Sequence, residues 1–406
     1  MLLDSNIAST GIAKGIFRSV GYSMTSSPKL LELSLAERES LGLVHTLREI
    51  LQQPQTWRQT YEQVQSLSTR IEEFLVISPR LNVLLVGAGT SDYIGKSVCA
   101  LLQKKWGCNV QAVPSTDLLT NMEDHIRPDV DYLWISFSRS GDSSEGVAAL
   151  EAARAAYPRI KHLVVTCNAN GQMARLGDRE NVLSIVLDDA VNDRGLAMTS
   201  SFSNMVIVAQ ALAHIRTLDA YGSIVESLAT SASKALPLIA SVCERLVDEG
   251  FSRVCFLGTG PLKAAAIESG LKVMELTGGR VIALTESFLG LRHGPLSAID
   301  RDTLLVGFLS ASQRRRAFEL DLIQEICGKK LTEKCLIVTP TALTDGFENE
   351  LCLDAPDAIS DLYLPPLFVL VGQLLGVAAS LREGLRPDEP SPHGAISRVV
   401  THVTIH

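Results

Sequence analysis

The chain has 406 residues, a formal net charge of −8, 46% hydrophobic and 20% charged residues. That length exceeds one average domain and buries ample core, so two α/β lobes are expected and no disulfide or metal staple is needed. Lys and Arg are scattered rather than clustered, which argues against a nucleic-acid face and leaves small anionic ligands to local donors.

The eight cysteines, at 99, 108, 167, 243, 255, 327, 335 and 352, sit mostly in apolar runs without CxxC spacing. They read as reduced, cytoplasmic core thiols rather than a zinc or redox site. Residues 1–27 read as a polar tail without a signal-type stretch. Residues 29–74 are helical in pattern, with Ser34 and Glu37 as a capping box and a break at Gln53-Pro54.

A leucine- and valine-rich strand at 82–86 runs through Gly87-Ala88-Gly89-Thr90-Ser91 into a helix reaching Lys105. Short strands are expected near 110–113, 132–137, 162–166 and 183–187, separated by helix-length segments. Such alternation means a doubly wound parallel sheet. The order returns at 254–257, 280–284, 303–309, 334–339 and 351–353. A shift of about 171 positions lays Gly87 and Gly89 on Gly258 and Gly260, so the chain reads as two copies of one unit. The connection at 198–249 is helical, and the apolar run 364–381 carries Pro365, Pro366 and Gln373. It falls short of the roughly 20 residues of a membrane span and is read as a buried helix. The expected divisions are 1–75 (tail and helical extension), 76–235 and 236–390 (the two lobes) and 391–406 (a tail reaching the site).

In an open α/β sheet, ligands bind beyond the carboxyl ends of the strands, where the loop after Phe137 lies. Ser138, Ser140 and Ser143 offer hydroxyls, Gly141 admits close backbone approach, and a helix follows. Helix N–H groups and dipole suit a phosphate dianion. Arg139 could add a positive charge, while Asp142 must turn outward. The plainer alternative is that these serines only cap the helix beginning near Glu145. Gly87-Ala88-Gly89 resembles a dinucleotide fingerprint, but its third glycine position is Asp92 and no acidic residue ends the strand at Val113. Gly89 and Ser91 are instead assigned to the same anion. No Walker pattern occurs.

These blocks resemble the sugar isomerase (SIS) domain family, and over about 47–406 the AgaS-type D-galactosamine-6-phosphate deaminase/isomerases, also known as tagatose-6-phosphate ketose/aldose isomerases. The matching stretches are GAGTSDYIG at 87–95, PSTDLLTN at 114–121, ISFSRSGDS at 135–143, TCN at 166–168, DRGLAMTSS at 193–201, ESGLKVMELTGG at 268–279, RHGP at 292–295 and RVV at 398–400. The resemblance implies two tandem SIS domains, each a five-stranded parallel sheet flanked by helices.

Glu268, Lys272 and Glu275 share one face of a helix. Such a pattern is usually a solvated, salt-bridged surface, yet Leu, Val and Met surround these charges. In the related glucosamine-6-phosphate synthase isomerase domain, the position matching Glu275 is the base working between C1 and C2. That matching Lys272 contacts the sugar, and that matching His293 assists ring opening from the neighbouring subunit. A histidine before Gly-Pro is otherwise often a turn residue. The synthase carries a C-terminal Lys where this chain has Arg398, which is no conservative exchange, although AgaS-type members carry Arg. Asp193 and Arg194 fit either the pocket wall or an ordinary loop pair. Arg314-Arg315-Arg316 reads as a solvated helix start.

The resemblance therefore implies a phosphorylated amino sugar or ketose phosphate as ligand, no cofactor, no nucleic acid or membrane partner, and a homodimer or larger homo-oligomer sharing its site. No metal ligand set is seen, and His402 and His406 read as tail residues. The enzyme alternatives are simple isomerisation or glucosamine-6-phosphate deamination. A sensor role is disfavoured because 1–80 lacks a basic helix-turn-helix. A synthase role is disfavoured because the same stretch has no Cys for an amidotransferase nucleophile.

Overall fold

Apolar strands separated by amphipathic helices can bury both faces of a parallel sheet only by winding helices onto each side, and the chain does this twice. The computed structural model describes residues 29–406 except 177, 178, 180, 344–346, 348, 392, 393, 401–403 and 406. The expected 1–27 tail, His402 and His406 therefore lie outside the described residues.

The helical extension comprises α1 (Lys29–Glu32), α2 (Leu35–Leu41), α3 (Val44–Leu51), α4 (Gln53–Ser66) and α5 (Ser68–Phe74). The Ser34–Glu37 capping box forms at the start of α2, and Pro54 sits in the first turn of α4, where its missing N–H costs no helix bond. The first lobe follows as β1 (Asn82–Gly87), α6 (Thr90–Trp106), β2 (Asn109–Pro114), α7 (Ser115–Asn121), β3 (Tyr132–Ser138), α8 (Ser144–Ala156), β4 (Lys161–Thr166) and β5 (Val182–Val186). Helices α9 (Ser200–Ala213) and α10 (Leu218–Asp248) lead to the second lobe. It contains β6 (Arg253–Gly258), α11 (Pro261–Leu276), β7 (Ile282–Glu286), α12 (Phe288–Leu291), β8 (Thr303–Phe308), α13 (Gln313–Gly328), β9 (Cys335–Thr339), β10 (Glu350–Cys352) and α14 (Pro365–Arg382). The 235/236 division falls inside α10, which continues past Pro237.

Both sheets are wholly parallel, with orders β2-β1-β3-β4-β5 and β7-β6-β8-β9-β10. The repeat extends to register. Asn82 faces Tyr132 in the first sheet and Arg253 faces Thr303 in the second, the pairs lying about 171 positions apart. Gly89 and Gly260 have φ of 55° and 59° before the helices that follow each first strand, a region open to glycine.

The lobes join through α6, α11 and α14. Within the second lobe Gly372 lets α14 approach α11 closely, because a Cβ there would lie 2.2 Å from Ser269 Cβ of α11. Helix α14 is apolar enough to cross a membrane by composition, but 89% of its apolar window is buried inside the protein. Of the eight cysteines, 108, 167, 243 and 255 are buried, whereas Cys327 is exposed on α13, so the expectation of core thiols holds only in part.

Candidate active site

The central strand of the first sheet, β3, ends in Ser138, and the chain turns through Arg139-Ser140-Gly141-Asp142-Ser143 before α8. The turn is held locally. Ser138 Oγ accepts from the Gly141 N–H at 3.0 Å, and Ser140 Oγ accepts from the Asp142 N–H at 3.2 Å. Asp142 turns away, accepting from the Gln172 N–H at 2.8 Å and from Asn168 Nδ2 at 3.2 Å, so its charge leaves the anion side. Ser143 occupies the α8 N-cap position but makes no capping hydrogen bond. None of these bonds caps α8; those of Ser138 and Ser140 close the turn before it.

This turn walls a cleft of about 160 Å³ lined also by Ser91, Ser115, Arg398, Val399 and Val400, with Glu145 in the first turn of α8. Of the seven expected substrate- or phosphate-binding residues, Ser91, Ser138, Arg139, Ser140, Ser143 and Arg398 come together here. Gly89, at the N-cap of α6, is not among the lining residues. The N-termini of α6 and α8 both contribute walls, a favourable field for an anion.

The two arginines stand differently from a simple phosphate clamp. Arg139 is 5% exposed. Its Nη1 donates to Leu196 O at 3.1 Å and its Nη2 to Arg398 O. Burial pulls its pKa down against the charge of Asp193. Arg398 Nε donates to Asp193 O at 2.8 Å, and its Nη2 donates to the same oxygen at 2.5 Å and to Asn192 Oδ1 at 2.8 Å. Both guanidinium groups therefore fasten the 398–400 segment to loop 192–196. Asp193, read as pocket wall or loop pair, caps α9 from a fully buried position, while Arg194 pairs with Asp189 at the surface at 2.9 Å.

On the second lobe, α11 presents its charges inward. Lys272 and Glu268 are fully buried, and the Glu275 side chain is 24% exposed. A wet salt-bridged surface is excluded. Lys272 Nζ lies 2.5 Å from Glu275 Oε2, 2.9 Å from Thr90 Oγ1 and 3.3 Å from Glu268 Oε1. Thr90 begins α6 next to cleft-lining Ser91, so it joins the acid–base group to the cradle across the lobe boundary. Sequence reading missed Thr90, whose only signal was its place in the same glycine turn.

One ammonium cannot satisfy two carboxylates equally. Burial, helped by Glu275, pushes the Glu268 carboxyl up to about 8 despite Lys272, and Glu268 Oε2 has no hydrogen-bond partner. For Lys272, burial opposes the charge, but Glu268 and Glu275 outweigh it and raise its pKa. Lys272 stays an ammonium beside Glu275, and Glu268 is the group inclined to hold a proton.

His293 lies in the exposed turn after α12, its N–H bonded to Gly290 O at 3.0 Å. It is not among the cleft-lining residues. Among the described residues, no group of three or more His, Cys, Asp and Glu could hold a metal ion.

The second lobe has its own version of the cradle turn, after β8. There the Ala311 N–H donates to Asp361 Oδ1 at 2.7 Å, the Ser310 hydroxyl also donates to Asp361, and Arg315 Nη1 reaches Asp361 Oδ2 at 2.7 Å. Ser310 N–H donates to Glu319 Oε2 at 2.8 Å. Asp361 is 2% exposed. The turn is filled by an internal carboxylate, and Arg315, expected in a solvated helix start, is one of its partners.

A repeated five-stranded parallel unit with a serine turn after the third strand defines the sugar isomerase class, and the SIS domain family matches residues 76–215. The chain belongs to the AgaS family within that class. It is 38% identical over 372 residues, 89% of this chain and 95% of the relative, to an AgaS homologue of Streptomyces coelicolor. It is 33% identical, over 89% of this chain and 95% of the relative, to D-galactosamine-6-phosphate deaminase AgaS of Escherichia coli O157:H7. Its fold matches the crystal structure of tagatose-6-phosphate ketose/aldose isomerase from Escherichia coli with a TM-score of 0.82 and 31% identity, covering 89% of this chain and 96% of that one.

Proposed function

We propose that this chain converts D-galactosamine 6-phosphate and water to D-tagatose 6-phosphate and ammonia. The carrying observation is the Glu275–Lys272 pair of one lobe, whose buried ammonium is bonded to Thr90, the chain neighbour of cleft-lining Ser91 in the other. A hexose 6-phosphate has this polarity, with an anion at one end and the reacting C1 and C2 at the other.

The phosphate rests on the Ser138, Ser140, Ser143 and Ser91 hydroxyls at the N-termini of α6 and α8, with Gly89, Arg139 and Arg398 shaping the walls. His293 assists ring opening. The Glu275 carboxylate takes the C2 proton of the open aldose and returns it to C1, by way of an enolamine. Lys272 steadies the developing negative charge near C1. Water then adds to the ketimine carbon, and the C–N bond breaks to release ammonia, which is the hydrolytic half of the reaction.

The working division is a first SIS unit at 76–235, a second at 236–390 and a tail at 391–406 that completes the site. Two copies share the site, His293 being supplied by the neighbour. The eight unpaired cysteines fit the reducing cytoplasm. Ammonia release from galactosamine, glucosamine and mannosamine 6-phosphates tests the reading. Fastest release from the galactosamine ester supports it, and release from none of the three refutes it.

A further inference from the structure

The helical extension before the first lobe holds a buried acid that none of this chemistry uses. Glu49, on α3, is 2% exposed. Its Oε1 accepts from the Arg194 N–H at 2.6 Å and its Oε2 from the Gly195 N–H at 3.2 Å. Burial, with Asp193 and Asp388 nearby, raises its pKa to about 7 against the pull of those two donors. An acid kept in such a place needs a reason.

The reason lies on the other side of one peptide group. The N–H of Arg194 and the C=O of Asp193 belong to the same planar unit, so fixing the direction of one fixes the other. That C=O is the oxygen on which Arg398 places Nε and Nη2. A carboxylate on the N–H side also polarises the carbonyl and strengthens the bond to the guanidinium. Arg398 O in turn accepts from Arg139, and Val400 O accepts from the Ser144 N–H at 3.4 Å. The chain of contacts runs from α3 to the wall of the phosphate cleft.

A second strap holds the same loop in register. Asp388 accepts from the His45 N–H at 3.0 Å and the Thr46 N–H at 2.7 Å, while its carbonyl accepts from the Leu196 N–H at 3.0 Å. Gly195 must be glycine for this approach, because a Cβ would lie 2.7 Å from Thr46 Oγ1.

We propose that Glu49 is a positioning residue for the phosphate site: it orients the Asp193–Arg194 peptide group and, through its carbonyl, sets the Arg398 side chain and the 398–400 segment that walls the cleft. This rests on the placement of phosphate in the cleft, and it gives the N-terminal extension a part in substrate binding.

The test compares wild type with Glu49→Gln. The probes are inorganic phosphate, by calorimetry, and galactosamine 6-phosphate, by ammonia release, with deuterium uptake over 398–400 followed by mass spectrometry. The variant should raise the phosphate Kd and the sugar-phosphate KM together by about tenfold, as loss of one charged hydrogen bond does. Its kcat should stay within about twofold, and uptake over 398–400 should quicken. A folded variant with unchanged phosphate Kd overturns the proposal, since a merely structural acid would lower Tm alone. Should Glu49→Gln not fold, Asn192→Ala removes the half-buried side-chain acceptor of Arg398 without touching the cleft. It should raise the same Kd about threefold, and an unchanged value overturns the proposal equally. A wild type that binds phosphate but releases no ammonia sinks the assigned reaction while the phosphate Kd still decides on Glu49. A wild type that binds no phosphate sinks both.

Discussion

The turns after β3 and β8 occupy matching places in two copies of one sheet, and they differ in what holds them. In the first lobe the turn is closed by its own serines and leaves a cleft in front of it. In the second, the Asp361 carboxylate accepts from a backbone N–H and the hydroxyl of the turn, with Arg315 behind it. The second turn thus carries its anion covalently, whereas the proposed function leaves the first to a phosphate. A duplicated fold can retain the electrostatics of a site as structure after ceasing to use it for a ligand. The lobe with the filled turn is also the one that carries Glu275 and Lys272, so the proposed function assigns binding and chemistry to different copies.

The sharpest way to break this contrast is to remove the base. Glu275→Gln should lower kcat for ammonia release by about a thousandfold, the range of general-base catalysis, with little change in sugar-phosphate affinity. Replacing Ser138 and Ser140 together by Ala should act the other way, raising KM roughly thirtyfold with kcat largely kept, as loss of binding shared by ground and transition states requires. A double mutant whose kcat collapses would place chemistry in the first lobe.

The filled turn is expected to matter for folding rather than turnover. Asp361→Ala should cost about 2 kcal/mol in urea unfolding, because buried N–H and hydroxyl groups and Arg315 lose their acceptor. Added acetate or sulfate should restore part of it. An unfolding midpoint identical to wild type would mean that the turn does not need an anion.

A smaller contrast concerns acid. His162 on β4 is 1% exposed, has both ring nitrogens without partners and faces Trp134 at 5.6 Å between ring centres. By strand pairing the second lobe has Cys335 at the matching place. Burial, with a lesser push from Arg154, lowers the His162 pKa to about 3. The unfolded chain then binds the extra proton first as pH falls, so the stability from neutral His162 is complete above its ordinary pKa of 6.5 and declines below it. Between pH 6.5 and 5 the loss should reach about 2 kcal/mol. Urea unfolding of His162→Leu at the same two pH values should lack that part of the slope; an unchanged slope would assign acid sensitivity elsewhere.

Much of this division is visible in the chain. Hydrophobic periodicity marks the strands to within two residues, and the glycine turns with their shift reveal the repeat. The family blocks point to Glu275, Lys272 and His293. What could not be read depends on partners far away in sequence. The guanidinium groups of Arg139 and Arg398 look like phosphate ligands until loop 192–196 supplies carbonyls for them. Thr90 looks like one more turn residue until α11 is packed against α6. Asp361 has no pattern at all, and its role exists only because the segment before α14 returns to the end of β8.

The most direct test of the divided site is calorimetric titration of Glu275→Gln with galactosamine 6-phosphate, run beside its ammonia release. The account predicts binding within about threefold of the wild-type value and release lower by about a thousandfold. Lost binding, or turnover that persists at the wild-type rate, would contradict it.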